Sequence, residues 1–315
     1  MTRLYFASDI HASEQVWRKF LNAPSFYGAD VLVMGGDMSG KLLVPMVETK
    51  PGVWETKLFG KRQKAKGEER LLELEERARF NGFYPYRCDP VEMDRLERDP
   101  EYRDRLFREV MARSLDRWLD MAHDKLAGTG VRLYVMPGND DPWEFDEVFD
   151  RVPEPVENVE GRVVAFDGVQ MLSSGWSNPT PWDSPREKSE DELLKTFEEV
   201  AEDLQDGVPA IFNLHVPPYD STLDMAPELT EDLQVVSKGG EVSMQPVGST
   251  AVRRFIEDRQ PMLSLHGHIH ESRGAVKIGR TVAINPGSTY GEGVLDGAIV
   301  DIENAEVVSY QLVSG

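Results

Sequence analysis

The chain has 315 residues, 35 Lys and Arg against 56 Asp and Glu, and a formal charge of −21 at neutral pH. Its 40% hydrophobic content is enough for a substantial core in one large domain or two ordinary ones, while no run approaches the roughly 18 apolar residues of a membrane helix. The acidity argues against binding nucleic acid or an anionic membrane over the whole surface, and Cys88, the lone cysteine, has no partner for an internal disulfide, which fits a reducing cytoplasm.

Short apolar runs, each ending in a polar turn, recur along the chain. Leu4–Ser8 precedes Asp9; it is too short for the roughly 7 to 15 apolar residues of a secretory signal, so a cytoplasmic chain is expected. Val31–Met34 precedes Gly35-Gly36-Asp37, Leu133–Met136 precedes Pro137-Gly138-Asn139, Ala210–Leu214 precedes His215, and Met262–Leu265 precedes His266. Each has strand length and is apolar almost throughout, as expected of strands buried on both faces. Helical patterns lie between them at Glu14–Leu21, Trp143–Phe149, Glu190–Leu204 and Thr250–Asp258, and Ser189 with Glu192 forms a capping box at the start of the third. Alternating strands and helices predict an α/β sandwich with its functional loops at the carboxyl ends of the strands. Further short strands are expected at Arg162–Asp167, Val169–Ser173, Ala275–Ile278, Thr281–Asn285, Gly297–Ile302 and Glu306–Leu312, implying a second sheet packed on the first.

Residues 41–127 break this rhythm. They read as an insertion holding a hairpin (Leu42–Val47 and Val53–Phe59 around Lys50-Pro51-Gly52) and two charged helices, near Glu68–Phe80 and Glu101–Leu126, since a βαβ connection is normally much shorter. The expected organisation is a single domain over 1–315, with a core of 1–40 and 128–315 and an inserted cap at 41–127.

The polar residues punctuating the strand ends are Asp9-x-His11, Gly36-Asp37, Gly138-Asn139-Asp140-Asp141, His215 and Gly267-His268-Ile269-His270. Carboxylate, imidazole and amide oxygen are donors for divalent transition metals. In an extended segment residues two apart face the same side, so Asp9 with His11, and His268 with His270, are each expected to point into one site.

In this order the motifs resemble the calcineurin-like metallophosphoesterases, whose pattern is D-x-H, G-D, G-N-H-D/E, a single His and G-H-x-H. The resemblance covers about 1–40 and 128–290 and takes in the turn Asn285-Pro286-Gly287-Ser288. It implies a four-layer α-β-β-α sandwich of two mixed sheets, here with an inserted hairpin-plus-helices cap. It also implies two divalent transition metal ions (Mn, Fe, Zn, Co or Ni, with Mn favoured). By the same resemblance Asp9, His11 and His270 would hold the first ion, Asn139, His215 and His268 the second, and Asp37 would bridge them. The implied reaction is hydrolysis of a phosphodiester or phosphomonoester by in-line attack of a metal-bridging hydroxide. Asp37, Asn139, Asp140, Asp141 and His215 would form the catalytic set, with Asp141 orienting its neighbours.

The chain departs from this pattern at Asp140, where the family has a histidine thought to protonate or stabilise the leaving group. Asp140 could act as an acid only with a pKa raised well above about 3.9, so diesters and activated esters are expected to turn over more readily than alkyl monoesters. Other readings are a non-catalytic scaffold of the same fold and a nuclease of the same family. The complete donor set favours an enzyme, and the acidity disfavours a long polyanion. The expected partner is a small phosphorylated substrate, with no membrane and with nucleic acid disfavoured; oligomeric state is not legible.

Outside the motifs, His266 reads as a core hydrogen-bonding residue, His123 as a solvated helix residue and Cys88 as an incidental thiol. Lys57, Lys61, Arg62, Lys64 and Lys66 form a cationic stretch without an acid, open to a solvated or a substrate-facing role. Aromatic residues of 82–87 are open to lining a cap over the site or to packing within the insertion, with packing favoured. Trp176, Trp182, Arg186 and the stretch 217–247 follow strand ends, and Lys41, Asn178, Tyr219 and Arg273 are candidates to contact phosphate or leaving group. Residues 41–127 hold 19 cations and 18 acids, so the net acidity belongs to the rest of the chain. Two divalent ions would invert the field of that acidic body at one point.

Overall fold

The computed structural model describes residues 1–315. In chain order its first elements are β1 (Thr2–Ala7), α1 (Glu14–Tyr27), β2 (Val31–Met34), β3 (Leu42–Lys50), β4 (Val53–Leu58), β5 (Lys61–Lys66), α2 (Glu68–Phe80), β6 (Phe83–Cys88), α3 (Pro90–Arg98) and α4 (Pro100–Leu126). There follow β7 (Arg132–Val135), α5 (Glu144–Phe149), β8 (Val156–Asn158), β9 (Arg162–Phe166), β10 (Val169–Ser174), α6 (Glu190–Ala201) and β11 (Ala210–Leu214). After four short strands, β12 (Met225–Pro227), β13 (Ser237–Lys238), β14 (Glu241–Val242) and β15 (Met244–Pro246), come α7 (Thr250–Arg259), β16 (Leu263–Leu265), β17 (Gly274–Ile278), β18 (Thr281–Asn285), β19 (Asp296–Glu303) and β20 (Glu306–Ser314).

Two six-stranded mixed sheets form the body, in the orders β20-β19-β1-β2-β7-β8 and β17-β18-β16-β11-β10-β9. In the first, β1, β2, β7 and β8 run parallel, β19 runs antiparallel to β1, and the edge strand β20 runs antiparallel to β19. In the second, β10, β11, β16 and β18 run parallel and the edge strands β9 and β17 antiparallel.

Strand periodicity explains the layering. On β1, β2 and β7, residues Tyr5, Ala7, Leu32, Met34, Leu133 and Val135 pack into one core with α1, α4 and α5. Their alternates Leu4, Phe6, Val31, Val33 and Tyr134 pack into a second core with Met171, Ile211, Leu263, Leu265 and Ile284 of the other sheet. The alternates of that sheet, Leu172, Phe212, Leu214 and Ala283, face a third core shared with α6 and α7. Three apolar layers separate four layers of structure, the α-β-β-α sandwich expected, because side chains two apart share a face. The capping box of Ser189 and Glu192 is present at the start of α6.

Besides holding a third helix, α3, residues 41–127 differ from the expected hairpin and helices in two ways. The hairpin is part of a four-stranded sheet, ordered β5-β4-β3-β6. The cationic stretch supplies its edge strand β5, with Ala65 buried and half-buried Gln63 beside it, while Lys64 pairs with Glu55 at 2.8 Å. Cations flanking each inward residue hide the period of two. The stretch therefore serves as a charged edge strand, a device that discourages edge-to-edge pairing.

The second difference is in α4, which belongs to the body of the fold as well as to the insertion. Its residues Met111, Leu115, Trp118, Leu119, Ala122 and Leu126 line the first core, and Trp118 stacks on Trp17 of α1 with ring centroids 5.4 Å apart. Strand β2 pairs directly with β7, and α4 is the last helix of the crossover between them. The segment 217–247 is likewise more ordered than a loop, since β12 pairs with β15 and β13 with β14.

Candidate metal centre

The carboxyl ends of β1, β2, β7, β11 and β16 gather Asp9, His11, Asp37, Asn139, His215, His268 and His270. Asp9, His11 and His270 bring one donor atom each within 4.8 Å of one another, as do Asp37, His215 and His268. Asn139 Oδ1 joins the second group, 3.0 Å from His215 Nε2 and 2.8 Å from His268 Nδ1. Asp37 lies between the groups, 3.4 Å from His215 Nε2 and 3.9 Å from His11 Nε2. Asp9, His11, Asp37, Asn139 and His215 are all nearly inaccessible, whereas His268 and His270 form the more open side.

The residues converge by a different route from the one expected. Strand β1 ends at Ala7, and Asp9, His11, Asp37 and His268 all take left-handed backbone, with φ of 58°, 37°, 52° and 67°. Asp9 and His11 therefore point together from a tight turn, and the same holds for His268 before His270. Non-glycine residues with positive φ are costly and concentrate where function holds them. Two glycines permit the close approach: a Cβ on Gly138 would lie 2.3 Å from Asp37 Oδ1, and one on Gly267 would lie 2.2 Å from Asp9 Oδ2.

Neighbouring groups orient the donors. His11 Nδ1 lies 3.0 Å from Ser39 O and His215 Nδ1 lies 2.7 Å from Gly35 O. Each ring donates Nδ1–H to a carbonyl and directs Nε2 into the site, an arrangement that fixes imidazole for metal binding. The donor set and its orientation thus fit divalent transition metal ions. Asp141 accepts from the backbone N–H groups of Met38, Ser39 and Gly138 at 3.1, 2.7 and 2.8 Å, tying the turn after β2 to the turn after β7. Asn285 does the same elsewhere, donating to Gly267 O and Ile269 O.

Burial lowers His11 and His268 to about 4 and about 3. It acts on His215 too, but there the carboxylates of Asp37 and Asp9 prevail and raise the imidazole to about 10. Asp141 is raised to about 6 by burial and by Asp37. Asp140 moves against the requirement for an acid. Burial pushes it up, yet Lys41, whose Nζ lies 2.8 Å from Oδ2, brings it below its ordinary value.

Of the other candidates, Lys41 alone is tied to the site through Asp140. Arg273 pairs with Asp296. Asn178 donates to Val247 O, and Arg186 is buried against Asp141 O and Asp146. Tyr219 is surface-exposed. Trp176 packs against Trp143, while Trp182 is exposed. His266 is a core residue bonded to Ser264 Oγ and Leu214 O, as expected, and His123 contacts Glu154 O from the surface of α4. Two residues escaped sequence reasoning. Tyr290 lies with its ring centroid 4.7 Å from that of His11, and Ser184 Oγ donates to Asp140 Oδ1 at 2.9 Å. The only signal for Tyr290 was its place just after the Asn285–Ser288 turn.

No protein-family model matches the chain. An uncharacterized protein of Methanocaldococcus jannaschii is 32% identical over 159 residues, which span 50% of this chain and 64% of that protein. The solved structure of TT1561 of Thermus thermophilus aligns over 100% of this chain and 98% of its own, with a TM-score of 0.55 and 14% identity. The likeness is one of fold. A novel archaeal phosphodiesterase aligns at a TM-score of 0.43 and 10% identity, too loosely to bear on function. No helix in the chain is long and apolar enough to cross a membrane.

Proposed function

We propose that this chain is a dinuclear metal-dependent phosphoesterase that hydrolyses a small phosphodiester or phosphomonoester in the cytoplasm, Mn being the favoured metal. The observation that carries this reading is the convergence of seven competent donors from five strand ends, with His11 and His215 both held so that Nε2 faces inward. Asp9, His11 and His270 would hold one ion, and Asn139, His215 and His268 the other, with Asp37 shared. When bound, two such ions would supply Lewis acidity and lower the pKa of water, the chemistry that hydrolysis of a phosphoryl ester requires.

The remaining chemistry falls to the chain. Asp9 and Asp37 bring two negative charges against roughly four positive ones, leaving a positive pocket for a phosphoryl anion in an otherwise acidic surface. Asp141 holds the Asp37 and Asn139 turns in register through its three backbone hydrogen bonds. No imidazole stands at position 140, and a charged Asp140 cannot donate a proton to a leaving group. Esters whose leaving group needs little protonation, such as aryl esters and activated diesters, are therefore the preferred substrates.

The test is hydrolysis of an aryl phosphodiester and an aryl phosphomonoester by purified protein with added Mn2+, beside Asp37→Ala and His215→Ala. Both variants are expected to lose activity while circular dichroism stays unchanged. Wild-type protein that takes up no more than trace transition metal by elemental analysis would overturn the reading.

A further inference from the structure

We propose that Lys41, held by Asp140 at the edge of the metal centre, is a substrate-binding residue that grips a non-bridging phosphoryl oxygen, and that Asp140 positions it. This inference rests on the phosphoesterase reading.

Both oxygens of Asp140 are engaged. Oδ1 accepts from Ser184 Oγ at 2.9 Å and from Asn139 Nδ2 at 3.2 Å, and Oδ2 pairs with Lys41 Nζ at 2.8 Å. The carboxylate is fixed by three partners, one of them the proposed ligand Asn139, and its donor oxygen lies within 4.8 Å of those of His11 and Asp37. An ammonium group paired with this carboxylate therefore sits beside the proposed ligands His11 and Asp37. The side chain of Lys41 is 65% exposed against 23% for Asp140, so the ammonium keeps hydrogens free for an incoming anion.

The platform beneath Lys41 is rigid. Ser39 N–H and Met38 N–H bond to Asp141, Ser39 Oγ donates to Asp140 O, and Gly40 N–H donates to the hydroxyl of buried Tyr84 at 2.9 Å. A Cβ on Gly40 would lie 2.4 Å from Gly82 O and 2.7 Å from Ala12 Cβ, so the backbone is wedged against the turn that carries His11. Lys41 thus starts from a fixed point beside the metal ligands.

The charges give the pair a distinctive signature. With Lys41 present, Asp140 is neutralised. Without Lys41, an uncompensated carboxylate faces the phosphate, so removing the lysine both deletes an attraction and exposes a repulsion. Removing both should be less harmful than removing the lysine alone.

The experiment is calorimetric titration of inorganic phosphate into Mn-loaded wild type, Lys41→Met, Asp140→Asn and the double variant, with metal content measured on each. Lys41→Met is expected to weaken phosphate binding by roughly tenfold to a hundredfold, as for a lost charge-assisted hydrogen bond. The double variant should bind more tightly than Lys41→Met, with metal content unchanged throughout. With an aryl ester the loss should fall mainly on KM. Equal phosphate affinity in wild type and Lys41→Met overturns the inference and leaves the phosphoesterase reading standing; a metal-loaded wild type that binds no phosphate overturns both. Metal loss in Asp140→Asn, without a Lys41 effect, would make Asp140 a ligand and also overturn the inference.

Discussion

His11 Nε2 faces His270 Nε2 at 3.1 Å, although the two lie in motifs at opposite ends of the chain. With His11 Nδ1–H committed to Ser39 O, the lone pair on Nε2 looks directly at its counterpart. Two imidazoles so placed share a single proton or share an ion. Added Mn2+ or Zn2+ should stabilise the fold by about 2.7 kcal/mol at a hundredfold excess over Kd and so raise the melting temperature. His11→Ala and His270→Ala should each blunt that rise in thermal scans. Unchanged melting across a metal titration of the wild type would count against an ion between them.

Metal loading should also release protons. Burial alone would keep His215 neutral, but Asp37 and Asp9 raise it to about 10, which favours the protonated ring in the metal-free site at pH 7. An ion on Nε2 must displace the proton there, releasing about one proton per site from this residue. Apparent metal affinity should therefore increase as pH rises through neutrality. Titrations in two buffers of different ionisation enthalpy measure the released protons directly, and equal apparent heats would contradict the assignment.

Gly267 is needed for space, because a Cβ there would lie 2.2 Å from both Asp9 Oδ2 and Ser8 Oγ. Gly267→Ala would push the Asp9 carboxylate away from His268 N–H, to which it is bonded at 2.9 Å. Metal affinity is expected to fall by about tenfold to a hundredfold, the scale seen when ligand orientation is lost. Elemental analysis after dialysis checks it; full metal occupancy in the variant would show that the turn can yield.

Glu160 offers a stability test behind the site. Burial raises its carboxyl from 4.5 to about 7, although Gly175 N–H bonds to it at 2.6 Å. A raised folded value means the native state holds the proton longer than the unfolded chain does. Its contribution is fully present below pH 4.5 and is lost as pH rises to about 7. Glu160→Gln should therefore be more stable than wild type at pH 8, and the gap should close toward pH 4.5. Urea denaturation across this range decides the matter, and parallel pH profiles would refute it.

Trp118 joins the inserted segment to the body of the fold. It is buried, stacks on Trp17 and accepts the Trp17 indole N–H through its carbonyl at 3.1 Å. Trp118→Ala should cost about 3–5 kcal/mol, measured by chemical denaturation. A cost below about 1 kcal/mol would mean that α4 rests loosely on α1.

Much of this was legible in the residues because its causes are local. Apolar runs of strand length, each closed by a glycine, histidine or acid, reveal buried strands and the residues at their ends. Period-two alternation assigns Leu4 and Phe6 to one face and Tyr5 and Ala7 to the other. Strand-end position and donor chemistry gathered Asp9, His11, Asp37, Asn139, Asp140, Asp141, His215, His268 and His270, and the family resemblance singled out seven of them as ligands. Local pattern misled where charge masked it, as in β5, or where an extended segment was assumed, as at Asp9 and His11, whose backbone turns left-handed.

Tertiary structure decided what depends on neighbours remote in the chain. The commitment of Asp140 to Lys41 and Ser184, the ring of Tyr290 against His11, and the docking of α4 on α1 are all contacts between segments that share no periodicity or motif. Residue types and their spacing set which groups reach a strand end. The electrostatic state of those groups, whether an aspartate is an acid, a ligand or an anchor for a lysine, is set by what the fold places within a few ångströms of them.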